Sequence, residues 1–167
     1  IRDGLGQGLT WSLTSVRTAQ LYAYREATRA AYVANQRIVP RWRWRSARDS
    51  RTCMACVAMD GTEHPASETL NDHHCGRCVA VPLTISYREL GFDVAEREPV
   101  LEEDGQAWFR GLPESQQRAQ MGPRFHEAWR AGKFDLADFP TDYPDEVYGT
   151  MRRAATLREL LESNATA

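Results

Sequence analysis

Arg41-Trp42-Arg43-Trp44-Arg45-Ser46-Ala47-Arg48-Asp49-Ser50-Arg51-Thr52-Cys53-Met54-Ala55-Cys56 is the stretch from which the rest of the chain can be ordered. Its first five residues alternate Arg and Trp, the period-two pattern of a strand with one apolar and one charged face. An Arg/Trp ribbon can bind nucleic acid by stacking, but in a strand the two residue types point to opposite faces. The Trp face is therefore read as core. The last four residues are a Cys-x2-Cys pair, and a second pair follows eighteen residues on, in Asp72-His73-His74-Cys75-Gly76-Arg77-Cys78.

These are the four cysteines of the chain. Two such pairs at this spacing are the pattern of a structural zinc site, because Zn²⁺ takes four tetrahedral ligands and favours thiolate and imidazole. A two-residue gap lets one tight turn aim both sulfurs at one ion. Cys53, Cys56 and Cys78 are the expected metal ligands, and spacing alone makes Cys75 the fourth. Two disulfides are the competing reading. The 167-residue length, the absence of an export signal and the histidines beside the second pair favour metal.

Outward from this centre, a long helix is expected from about Ser12 or Thr14 to Asn35, after a flexible or partly helical lead-in carrying Gly4, Gly6 and Gly8. Val16, Ala19 or Gln20, Ala23, Ala27, Ala31 and Ala34 recur at three- and four-residue steps, a narrow stripe suited to close helix packing. A short helix should carry Cys53 and Cys56 and end at Asp60-Gly61. Residues 62–76 read as loop, with His64-Pro65 a turn and His64 a spare imidazole near the metal loop. Arg77 to Ile85 reads as a strand able to pair with 41–46. Further on, helices are expected at Gln106–Leu112, at Glu114–Met121 behind Pro113, and from Pro123 to Gly132. Phe134, Leu136 and Phe139 add an apolar cluster, Pro140–Pro144 a loop, and Thr156-x-x-Glu159 a capping box opening a last helix. The fold class is α+β, mainly helical: a long N-terminal helix, a small zinc-clipped β-hairpin unit and a C-terminal cluster of short helices. The expected organisation is a core unit over 1–92, an acidic linker over 93–105 and a helical extension over 106–167.

Charge is uneven. Residues 1–50 hold nine Arg against three acids, residues 51–105 four Arg against eleven acids, and residues 106–167 eight basic against nine acidic residues. The basic first third can pair with the acidic middle or form a phosphate-contacting face, and the first reading is preferred. No apolar run of eighteen residues and no leader is seen, so neither a membrane span nor a signal peptide is expected. A chain that opens on Ile1 is expected to be a fragment, a processed product or the ordered part of something longer.

The order of these elements resembles the phage Mu head-morphogenesis family, the F-like minor capsid proteins of tailed phages and prophages. The residues that carry the resemblance are Arg17-Thr18, Ala23-Tyr24-Arg25-Glu26-Ala27, Trp42-x-Trp44, Asp49-x-Arg51-Thr52-Cys53-x-x-Cys56, Asp60-Gly61, the His73-x4-Cys78 segment and Val81-Pro82. Trp108-Phe109, Pro113, Gln116-Gln117, Met121-Gly122-Pro123, Trp129, Gly132 and Leu136 extend it towards the C-terminus, so that it covers most of residues 9–162. Two departures stand out. Ala19 replaces an acidic residue, and Gly76 stands where a cysteine often does while Cys75 comes one step earlier.

The resemblance implies His73 and Cys78 as ligands beside Cys53 and Cys56, with Cys75 as the alternative to His73. It also implies a structural role in the virion, reached from the host cytoplasm during assembly, with portal or capsid proteins as partners. Contact with packaged DNA is a further expectation; a membrane or a small-molecule substrate is not. No enzyme activity and no catalytic residue is expected. Ser12, Ser15, Ser46 and Ser50 have no His/Asp constellation, and His126 reads as a capping or surface residue. A His-Asn-His type nuclease is one alternative, prompted by Asp72-His73-His74, and a zinc-ribbon DNA-binding protein is the other.

Overall fold

The computed structural model describes residues 2–95 and 103–165, with side chains from residues 6–95 and 103–164. Helix α1 (Arg2–Ala34) leads into strand β1 (Arg41–Arg45), the short helix α2 (Met54–Met59), strand β2 (Glu63–Pro65) and strand β3 (Val79–Leu83). Helices α3 (Gly105–Gly111), α4 (Glu114–Met121) and α5 (Pro123–Arg130) follow. A 3₁₀ turn (Leu136–Asp138), a hairpin of β4 (Pro140–Asp145) and β5 (Gly149–Ala154), and helix α6 (Leu157–Ala165) complete the order. The fold is α+β: a long N-terminal helix, small antiparallel sheets and short C-terminal helices. No helix among the described residues is long and apolar enough to cross a membrane.

β1 is the central strand of a three-stranded antiparallel sheet ordered β2-β1-β3. Trp42 and Trp44 are both buried, with ring centroids 6.1 Å apart, and they pack with Cys56, Leu70 and Cys78. On the opposite face Arg41 and Arg43 both reach Glu63, at 2.8 and 2.7 Å, across the β1–β2 pairing. Arg45 and Arg48 reach Asp60 at 3.2 and 2.8 Å. Much of the basic first third is thus neutralised within the chain by the acidic middle.

A second core gathers Phe109, Met121, Ala128, Phe134, Leu136, Phe139, Ala155 and Leu160 around Met54 and Val57. Helix α2 sits between the two cores: Met54 and Val57 face the C-terminal helices while Cys56 faces the tryptophans. Residues on both sides of the expected 93–105 linker therefore share one apolar cluster. Most of that linker lies outside the described residues; Asp104 caps α3 by accepting from the Ala107 amide at 2.7 Å.

Four local expectations need correction. The helix begins at Arg2, through the glycines, where the Thr10 and Ser12 hydroxyls donate back to the Gly6 and Gly8 carbonyls. The expected loop at 62–76 contains β2, and its Pro65 is tolerated because β2 is an edge strand. The expected Pro140–Pro144 loop is strand β4, paired with β5 in a two-stranded sheet in which both strands are edges. His126, read as a surface or capping residue, is buried and lies 5.7 Å from Trp129 by ring centroids.

α1 meets the body through Thr18, Arg25 and Tyr32, whose hydroxyl donates to the Ala80 carbonyl at 2.8 Å. The small-residue stripe points the other way, into solvent.

Candidate metal centre

Cys53 is the N-cap of α2, and its sulfur accepts from the Cys56 amide at 3.4 Å. This sets the two thiols on the same side of the knuckle, 3.3 Å apart. The loop before β3 brings the remaining donors. Cys56 Sγ lies 3.5 Å from His73 Nε2 and 3.3 Å from Asp72 Oδ1. Two groups of mutually close donors result, Cys53–Cys56–His73 and Cys56–Asp72–Cys78, joined at Cys56. Donors on one tetrahedral Zn²⁺ stand about 3.6–3.8 Å apart, given Zn–S near 2.3 Å and Zn–N near 2.0–2.1 Å. The separations of Cys56 from Cys53 and His73 are close to that, while Cys78 joins the cluster through Cys56 and Asp72. Cys53, Cys56, His73, Cys78 and Asp72 lie close enough together to hold a metal ion.

The chemistry of the donor set fits as well as its spacing. His73 Nδ1 faces the His74 carbonyl at 2.9 Å, which fixes Nδ1 as the protonated nitrogen and leaves the Nε2 lone pair directed at the sulfurs. Hydrogen bonds from Cys56, and then from His73, lower the Cys53 thiol to about 5. Beside it, Cys53 raises the His73 imidazole to about 9. The Cys56 thiol is pushed far upward by its bonds to Cys53 and Cys78, by burial and by the Asp72 charge. Without a cation Cys53 and His73 settle as a thiolate–imidazolium pair while Cys56 keeps its proton. Further thiolates in so buried a place require a positive charge, which a divalent ion supplies.

Cys75 stands apart from these groups. Its sulfur is directed at α1, 3.7 Å from the Thr14 carbonyl and 3.9 Å from Thr18 Oγ1, and its amide donates to the Thr18 hydroxyl. The backbone there is left-handed, with φ 55°, and this turns Cys75 out of line with Cys78. His64 is engaged away from the cluster, at Thr62 and Glu68, and stacks on Trp42 at 4.4 Å.

No protein-family model matches the sequence, and searches of curated proteins and of solved structures returned no match. The meaning of the site therefore rests on its own construction.

The residue that sequence reasoning did not assign to this site is Asp72. Its side chain is almost wholly buried. Oδ1 accepts the His73 amide at 2.8 Å; Oδ2 accepts the Cys78 amide at 3.2 Å and the Arg25 guanidinium at 3.0 Å. With these lone pairs engaged, Asp72 braces the loop that carries His73 and Cys78. Arg25 reaches in from α1 and also donates to the carbonyls of Gly76, at 2.7 Å, and Cys78, at 3.2 Å. Gly76 is obligatory at its place: a Cβ there would stand 2.0 Å from Asp72 Oδ2. Arg77 grips Asp49 with two bonds of 2.6 Å, tying the loop to the turn before the knuckle. No local sequence signal marks Asp72, because its role comes from Arg25, forty-seven positions upstream, whose buried guanidinium demands a carboxylate.

Proposed function

We propose that this chain is a non-catalytic structural component of a tailed-phage or prophage head, a minor capsid protein of the head-morphogenesis type. In this reading it is built around one structural Zn²⁺ held by Cys53, Cys56, His73 and Cys78. The observation that carries the reading is a convergence. Arg25, Asp49, Thr52, Cys53, Cys56, Gly76, Arg77 and Cys78 all belong to the segments on which the resemblance rests, scattered over more than fifty positions. In the fold they meet around one cluster. Arg25 holds the loop, Arg77 holds Asp49, and the Asp49 carboxylate accepts from the Arg51 amide and the Thr52 hydroxyl just before the knuckle. Such a pattern is understandable if it encodes one metal-braced corner.

A bound Zn²⁺ would act there as a cross-link between α2 and the segment leading into β3, and Arg25 would extend that cross-link to α1. A catalytic zinc keeps a coordination position open and has a general base nearby. Here four protein donors suffice to fill the tetrahedron, and the neighbouring carboxylate is committed to amides and Arg25. Portal or capsid proteins are the preferred partners over packaged DNA, because Arg25, Arg41, Arg43, Arg45 and Arg48 already pair within the chain.

The test is a lysogen or infection lacking this protein. DNA synthesis should proceed while heads form aberrant, empty or non-infectious. Normal infectious heads without it, or metal-dependent DNA cleavage by the purified chain, overturn the reading.

A further inference from the structure

The outward face of α1 carries a heptad seam. Leu9, Leu13, Val16, Gln20, Ala23, Ala27, Ala30 and Ala34 follow one another at alternating steps of four and three, the spacing of the a and d positions of a coiled coil. All eight are solvent-exposed, including Leu9 at 62 % and Val16 at 65 %. The residues α1 buries against its own domain, Thr18 and Arg25, fall at the heptad position diametrically opposite, as does the half-buried Tyr32. The helix is thus packed along one edge and offers a continuous, uncharged seam about 37 Å long along the other.

The order of side-chain sizes along this seam says what covers it. The bulky residues occupy the first half and the alanines the second. Reversed about the point between Leu21 and Tyr22, the seam matches itself: Leu9 stands over Ala34, Leu13 over Ala30, Val16 over Ala27 and Gln20 over Ala23. Every large side chain meets an alanine. We propose that α1 pairs antiparallel with α1 of a second copy of this chain, through an isologous two-fold interface.

A parallel pair would set Leu on Leu at one end and Ala on Ala at the other, so the helices would have to splay. The antiparallel pair keeps one interaxial distance throughout. Flanking residues agree. Arg17 comes beside the exposed Tyr24 of the other copy, a cation–π pair, and Ala19 lies beside Glu26, so no like charges face each other. The two domain bodies, lying on the far sides of their helices, do not compete for space. This pairing stands independently of the phage-head reading.

The experiment is light scattering on the full zinc-loaded chain, with Ala23→Glu and Val16→Glu as variants. The wild type should have twice the chain mass. Each variant should return to the monomer mass with its far-ultraviolet circular dichroism and zinc content unchanged. Orientation is read by pulsed electron paramagnetic resonance with a spin label at Ser12→Cys in a Cys75→Ser background. Antiparallel helices place the two labels ~30 Å apart along the axis, whereas parallel ones bring them within ~15 Å. A monomeric wild type, a dimer insensitive to both glutamates, or the short distance each overturns the proposal.

Discussion

Replacing Arg25 by Met keeps the length of the side chain along α1 and deletes the guanidinium that joins the helix to the metal loop. In the wild type that group donates to Asp72, Gly76 and Cys78, and the ion pair is nearly closed to solvent, with side-chain exposures of 8 % for Arg25 and 1 % for Asp72. Removing one partner of a buried pair costs roughly 3–5 kcal/mol, since the other charge stays buried and unpaired. One term works in the opposite direction. The Arg25 Nε–H is buried and meets no acceptor among the described residues, so its removal relieves a desolvation penalty of about 1–3 kcal/mol. The mid-range values of the two terms leave a net loss of about 2 kcal/mol. Urea unfolding followed by tryptophan fluorescence, in reducing buffer with zinc present, measures it. Asp72→Asn and the double variant complete a cycle whose coupling should be about 1–3 kcal/mol. A loss for Arg25→Met below about 1 kcal/mol, or strict additivity in the cycle, would show that this contact does not tie α1 to the loop.

Zinc analysis under reducing conditions should give one ion per chain; Cys56→Ser and His73→Ala should lower retention against a chromophoric chelator, whereas Cys75→Ser should not, and equal losses for His73 and Cys75 would refute the proposed ligand set. Gly76→Ala should act like a ligand loss, since its methyl group displaces the Asp72 carboxylate, and it should weaken zinc binding about 10–100-fold, the usual effect of disturbing the groups that orient metal ligands. Trp44→Ala should destabilise the fold by roughly 3–5 kcal/mol, because the ring is buried beside Trp42 and the Arg152 guanidinium lies 5.8 Å from its centroid; a loss under about 1 kcal/mol would contradict the core assignment. Glu159 is held well below the usual carboxylate range by Arg153 and then by the Thr156 amide. Its contribution to docking α6 is therefore present above its unfolded value, about 4.3, and is lost as pH falls through the lower folded value. Acid titration of Glu159→Gln should lack that component, and identical acid profiles for the two proteins would contradict it.

The elements that depend on neighbours in the chain were legible in the sequence. The Arg/Trp alternation marked β1 and its buried face, Pro113 and Pro123 marked the starts of α4 and α5, and Thr156 with Glu159 marked α6. The two-residue gap between Cys53 and Cys56 is equally local, a thiol at a helix N-cap. In each case the signal lies within five consecutive residues, so residue order alone reveals it.

Choices that depend on residues far apart were made only by the tertiary structure. Whether His73 or Cys75 faces the other thiols follows from the left-handed turn at Cys75 and from Thr18 on α1, fifty-seven positions away, which takes up the Cys75 amide. Asp72 gains its place from Arg25, forty-seven positions upstream, and from the missing side chain of Gly76. β2 and β4 contain prolines, which weaken a strand signal, and they exist because an edge position spares them one set of backbone bonds. The inward face of α1 is set by the same physics. Helical periodicity reveals a stripe of alanines and a stripe bearing Arg25 without saying which is buried, and the buried carboxylate decides it, because a charge out of water must be met by another.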